Sequence, residues 1–181
     1  GTIEALGPEF PSEADLRIGD RVVALTRFGA YASALNVGAA LLRRVPAGWS
    51  AAQAAAWPVQ GLTAWYGLVP LGAVTTGDVV LVQSAAGGVG LQALAMLHTL
   101  GARPLAVVGH ESKRRFLIER HGLAPDAIIV RDRRHFANQL DAGLAALGAT
   151  GFDCVLDAVL GSGFRPSFER HEVDKRRSDH A

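Results

Sequence analysis

Apolar residues in the second half of the chain gather into short continuous runs. After Gly77-Asp78 the sequence reads Val79-Val80-Leu81-Val82-Gln83, the pattern of a strand buried on both faces of a parallel sheet. Residues 105–108, 127–130 and 152–157 repeat it. Between these runs the spacing turns helical, over residues 88–100, 112–121 and 136–147. Gly101 and Gly122 stand just past the first two of these stretches, where a helix C-cap takes a left-handed conformation. Strand and helix alternating at this interval predict an α/β fold, a parallel sheet of about four strands with helices on both faces.

The first half is punctuated differently. A Gly19-Asp20 turn precedes a short strand over residues 21–25, and residues 31–37 and 40–44 read as two more. Short strands broken by glycine suggest part of a small β-barrel. Ser50-Ala51-Ala52-Gln53 forms a capping box, and the alanine-rich helix behind it is expected to stop before Pro58. Gly1-Thr2-Ile3 reads as strand interior, so the polypeptide is expected to begin upstream. Residues 165–181 hold five basic and four acidic side chains with little apolar content, which predicts a solvated or disordered tail. Residues 152–157 are then expected to lie at a sheet edge or to be covered only by that tail.

Charge adds little to this and removes several classes. With 181 residues and a net charge of +1, nothing argues for a nucleic-acid partner. The single cysteine, Cys154, excludes an internal disulfide framework, and a reduced, cytoplasmic setting is the natural expectation. Residues 45–77 carry no charge, but Pro46, Pro58, Pro70, Gln53 and Gln60 interrupt them, so a buried segment is expected rather than a membrane span.

The candidate chemistry lies behind the first buried strand, where Ala85-Ala86-Gly87-Gly88-Val89-Gly90 opens a helix. Glycine there lets backbone approach a pyrophosphate, and the helix start offers unpaired amides and the positive end of its dipole. Gly90 is expected to let the helix pack closely on the sheet. This order of elements predicts a Rossmann-type dinucleotide loop, although Ala85 replaces the first glycine of the strict pattern. At the end of the second strand the sequence is Gly109-His110-Glu111-Ser112-Lys113-Arg114. An NAD-preferring domain usually has Asp or Glu there to hold the ribose 2′-hydroxyl. Gly109 leaves room for a 2′-phosphate instead, and Lys113 and Arg131 could pair with it, although Glu111 lies close enough to take the NAD role. NADPH is the favoured cofactor.

Four segments together resemble the zinc-free quinone oxidoreductases of the medium-chain dehydrogenase/reductase superfamily, with polyketide synthase enoyl reductases similar in the same places. They are Gly19-Asp20-Arg21-Val22, Gly29-Ala30-Tyr31-Ala32, Gln60-Gly61-Leu62-Thr63-Ala64-Trp65-Tyr66 and the loop. The resemblance covers residues 1 to about 169 and implies a partial GroES-like substrate domain over 1–60 and a Rossmann domain over 61–164. It also implies hydride transfer from NADPH to a quinone or an α,β-unsaturated carbonyl, a small-molecule substrate, and a homo-oligomeric full-length enzyme. The cofactor-binding residues it suggests are Thr63, Ala86, Gly87, Gly88, Val89, Gly90, Lys113 and Arg131, with Thr63 facing the nicotinamide. Zinc is not expected, because Gln60 stands where zinc-dependent relatives carry a cysteine, and the histidines show no ligand spacing. No catalytic residue is assigned. Tyr31, Trp65 and Tyr66 are expected to be core aromatics and Cys154 a buried small hydrophobe. A non-catalytic nucleotide-binding or scaffold role is the alternative.

Overall fold

The computed structural model describes residues 1–172, in two compact units, residues 1–59 and 60 onward. In the first, β1 (Val22–Ala24) pairs antiparallel with β2 (Leu42–Arg44). The backbone of Gly1, Thr2 and Ile3 extends that pairing: Val22 donates to Gly1 and Ile3 to Asp20. Ile3 and Val22 are buried. Residues 31–37 form no strand, contrary to their apolar pattern. Tyr31 is fully exposed, so the expected core role is wrong for it.

Helix α1 (Ala51–Tyr66) begins in the first unit and ends in the second. Its capping box forms as expected: Ser50 N donates to Gln53 Oε1 at 2.8 Å and Gln53 N to Ser50 Oγ at 3.2 Å. The helix does not stop before Pro58; it runs through that residue and continues as a wider turn over Gly67–Leu71. A proline inside a helix costs ~3 kcal/mol. Ala54, Gly61, Ala64 and Leu68 form one buried stripe along this segment, and burying it offsets the lost backbone bond. Trp65 and Tyr66 face away from that stripe and are about half exposed, which corrects their assignment to the core.

The second unit carries a four-stranded parallel sheet in the order β5-β4-β3-β6, built from β3 (Val79–Val82), β4 (Arg103–Val108), β5 (Ile128–Val130) and β6 (Cys154–Leu156). Strands β3, β4 and β5 are each followed by the helix the sequence predicted: α2 (Gly88–Leu100), α3 (Glu111–His121) and α4 (Phe136–Ala146). Gly101 and Gly122 close α2 and α3 at φ 71° and 65°. Strand alternation divides the core into two layers. Val80, Val82, Ala106 and Val108 pack with Ala64, Leu68, Leu94, Leu97 and Leu117 on one face. Val79, Leu81, Leu105, Val107 and Ile129 pack with Phe136, Leu140 and Leu144 of α4 on the other. Cys154, on the outer strand β6, is buried as a small hydrophobe.

Strand β6 ends the sheet, as expected, but the segment behind it is not a loose tail. Residues 164–168 form a short helix, α5 (Phe164–Phe168). Phe152 N then donates to Arg170 O at 2.7 Å and Glu172 N to Phe152 O at 2.9 Å, in parallel register. Arg170 grips Asp141 of α4 through two bonds of 2.6 and 2.8 Å. A bidentate guanidinium–carboxylate pair holds a segment that its composition alone left free. The rest of that predicted tail, residues 173–181, lies outside the described residues.

Candidate dinucleotide site

The sheet order places a reversal between β3 and β6: the chain moves from β3 outward through β4 and β5, then returns to the other side of β3. Crevices at such points, beyond the carboxyl ends of the strands, are where open α/β sheets bind ligands. The Gly-rich loop leaves β3 there. Ser84 takes φ 52° and makes the sharp turn. Ala85 then donates its amide to Val107 O at 2.9 Å, and its methyl is fully buried. The departure from a strict glycine pattern thus has a physical reason: the left-handed geometry falls on Ser84, one residue earlier.

Gly87 N donates to Ser84 O at 2.8 Å, and Gly87 caps α2 with no side-chain acceptor. The first amides of a helix have no intrahelical partner, so the amides of Gly88, Val89 and Gly90 gather at one anion-facing end. Gly90 is buried under the loop. A Cβ at this position would sit 2.5 Å from Ser84 O and 2.6 Å from both Ala85 Cα and Ala85 O. A Cβ on Gly87 would come within 3.1 Å of Ser84 O. A Cβ on Gly88 would meet the side-chain amide of Gln60, whose carbon, nitrogen and oxygen all lie within 2.7 Å of that point. Thr63 follows Gln60 by one turn of α1 and is exposed. Ala86 and Val89 are half-buried against the core.

Beyond β4, Gly109 is exposed and a Cβ there would meet nothing within 4 Å. His110 caps α3, its Nδ1 accepting from Ser112 N at 3.2 Å. Lys113 lies in the first turn of α3, exposed and without an ion pair among the described residues. Glu111 is engaged by Arg114 at 3.2 Å, and Arg114 also donates to Pro125 O. Arg131 follows β5 and is half-buried. Its Nη1 lies 3.5 Å from the point a Cβ on Gly163 would occupy, beside Gln83 Nε2 and Phe136 at 3.4 Å. The two cations assigned to one phosphate therefore stand on different elements, and Arg131 is turned toward the segment before α5.

Sequence reasoning missed Gln83. It is 4% exposed, donates through Nε2 to Ser167 Oγ at 3.1 Å, and leaves Oε1 buried without a partner. Strand register places it beside Asp157, whose Oδ2 is likewise unpartnered among the described residues. A polar residue ending an otherwise apolar buried run was the available signal. Asp132, after β5, is held below its ordinary carboxylate range by a hydrogen bond from His135 and one from the Arg134 amide. His98 and His121 line a cavity of about 480 Å³ at the opposite end of the sheet, with Arg103, Pro104 and Leu123. Among the described residues no group of three His, Cys, Asp or Glu side chains gathers to hold a metal.

No family model matches the chain. Individual proteins do. A mycocerosic acid synthase-like polyketide synthase from Mycobacterium tuberculosis is 38% identical over 164 residues, which are 90% of this chain and 7% of the synthase. A probable quinone oxidoreductase from Schizosaccharomyces pombe is 35% identical over 173 residues, covering 93% of this chain and 52% of that protein. The CurK enoyl reductase superposes with a TM-score of 0.81 at 28% identity, over 94% of this chain and 48% of its own. A mycobacterial protein solved in complex with NADPH gives 0.81 at 34%, over 96% of this chain and 52% of its own. Over nine-tenths of its length the chain is thus similar to enoyl reductases and a quinone oxidoreductase of the medium-chain dehydrogenase/reductase superfamily. It spans about half the length of the quinone oxidoreductase and of the solved relatives. Among its described residues no helix is long and apolar enough to cross a membrane.

Proposed function

We propose that this chain binds NADPH on the loop 86–90 and serves hydride transfer to a quinone or an α,β-unsaturated carbonyl, without zinc. The observation that carries the reading is the start of α2 behind β3: Gly87 caps it with no side-chain acceptor, so the amides of Gly88, Val89 and Gly90 are left for a pyrophosphate. A relative of 34% identity was solved with NADPH bound, which supports the same ligand here. Gly109 leaves space for the 2′-phosphate, Lys113 is free to pair with it, and Arg114 pairs with Glu111 through Oε1, which offsets that carboxylate's charge near the phosphate. Arg131 reaches toward Gly163 along the crevice and would hold the adenosine side. Thr63 would face the nicotinamide. Gln60 carries no metal-ligating sulfur, in keeping with a reaction that needs no zinc.

When bound, the cofactor supplies the hydride. The residues of this chain hold and orient it: the amides of Gly88 to Gly90 receive the pyrophosphate, and the core beneath Ala85 fixes the loop against β4. The unit over residues 1–60 would supply part of the substrate domain, and the whole enzyme would act as a homo-oligomer in the cytoplasm. Titration with NADPH and NADH, followed by NADPH oxidation with a simple quinone and with a crotonyl thioester, tests the reading. Tighter NADPH binding with turnover supports it. Binding without turnover selects the nucleotide-binding role, and no binding of either cofactor refutes the site.

A further inference from the structure

We infer that Gln60 is a cofactor-binding residue whose side-chain carboxamide donates from Nε2 to the pyrophosphate on the loop 86–90. This rests on the reading of that loop as the NADPH site. The carboxamide lies flat on Gly88, in space that only a glycine leaves free, at the first turn of α2. It makes no hydrogen bond among the described residues, although it is half-buried. Neither of its carboxamide atoms is among the buried polar atoms left without a partner, so the donor stays open to an incoming acceptor. Gly87 adds no side-chain acceptor to the helix start, so no protein group competes for that donor.

The loop also needs such a group. Residues 84–90 contain no cation, and Lys113 stands on α3 where the 2′-phosphate is expected. Backbone amides and a neutral carboxamide are then what the pyrophosphate meets. The carboxamide comes from α1, so it ties the loop to the helix that carries Thr63 one turn on. Gly88 has a second reason to be glycine: any side chain there displaces Gln60 as well as crowding the phosphate.

The pyrophosphate is common to NADPH and NADH, whereas Lys113 bears on the 2′-phosphate alone. Gln60→Ala should therefore weaken binding of both cofactors by the same factor, about tenfold for one hydrogen bond to a charged group, and leave their ratio unchanged. Gln60→Glu keeps the shape but replaces the donor with an anion, so it should weaken both more than alanine does. Fluorescence titration of the parent and the two variants, with melting temperatures recorded alongside, reads these outcomes. Unaltered affinity in Gln60→Glu overturns the inference, since a residue that only packs would tolerate that change. Tighter binding in Gln60→Ala also overturns it, because the carboxamide would then be competing with the phosphate. A parent that binds neither cofactor overturns the loop assignment itself, whatever the variants do.

Discussion

Gly90→Ala adds one methyl group at the most confined point of the loop. The new Cβ would begin 2.5 Å from Ser84 O and 2.6 Å from Ala85 Cα and O, against ordinary contact near 3.4 Å. These are backbone atoms, and Ala85 is fixed to Val107 by its own amide, so no rotamer change relieves them. Helix α2 must retreat by roughly 0.9 Å, the difference between those distances. Overpacking of this kind costs ~1–3 kcal/mol, and three rigid neighbours put it at the upper end. For a chain of this size that lowers the melting temperature by about 6–12 °C. The same retreat carries the amides of the first turn away from the pyrophosphate, stretching bonds of about 2.9 Å past 3.5 Å, and NADPH affinity should fall at least tenfold. Gly109→Ala is the control: its methyl meets nothing within 4 Å, and reduced unfolded-state entropy should stabilise by about 0.4–1 kcal/mol. Thermal unfolding followed by circular dichroism, with fluorescence titration of NADPH, measures both effects. A Gly90→Ala chain that melts within a degree of the parent and binds NADPH equally well would refute the close-packing argument.

Other consequences can be checked separately. Lys113→Ala should reduce the preference for NADPH over NADH by about 1.5–3 kcal/mol, the worth of one charged hydrogen bond; an unchanged ratio of the two dissociation constants would remove Lys113 from the 2′-phosphate. Gly109→Asp should reverse the preference by offering a carboxylate to the 2′-hydroxyl, read from the same titrations. The hydrogen bond from Arg170 holds the Asp141 carboxyl below its ordinary value of 3.8. Its stabilisation is therefore present above about pH 4 and is lost as the pH falls through the lowered value, so the protection of the Phe152 and Glu172 amides, taken relative to their intrinsic exchange rates, should fall only in that acid range. Elemental analysis of the purified protein should find no stoichiometric zinc, and one tightly held zinc per chain would contradict the metal-free reaction.

The parallel sheet was legible because its strands are buried on both faces and leave unbroken apolar runs, and because Gly101 and Gly122 mark helix ends by a conformation few other residues adopt. The loop was legible for a related reason, since close approach of backbone demands glycine at Gly87, Gly88 and Gly90. Helix α1 was misread at Pro58, because local rules weigh the proline and cannot see the stripe of Ala54, Gly61, Ala64 and Leu68 that tertiary burial stabilises. Residues 31–37 were misread in the opposite sense, as β-prone side chains without a pairing strand. The order of residues 169–172 depends on Asp141, 29 positions before Arg170. The contact of Gln60 with Gly88 joins two helices, and nothing in either segment alone announces it.

Gln83 gives the loop a foundation on the face of the sheet opposite α2. Its amide grips Ser167 on α5, whose hydroxyl in turn donates to Gly163 O at 2.8 Å, and Ser84 follows immediately in the chain. The phosphate-binding turn is thus not a detachable module. Transplanting residues 83–90 onto another parallel sheet would leave the Gln83 carboxamide buried without its partner unless Gly163 and Ser167 travelled too. Divergence in the α5 segment, far from the loop in sequence, is coupled to the loop through a single side chain. Changes at 163, 167 and 83 should accordingly be inherited together or not at all.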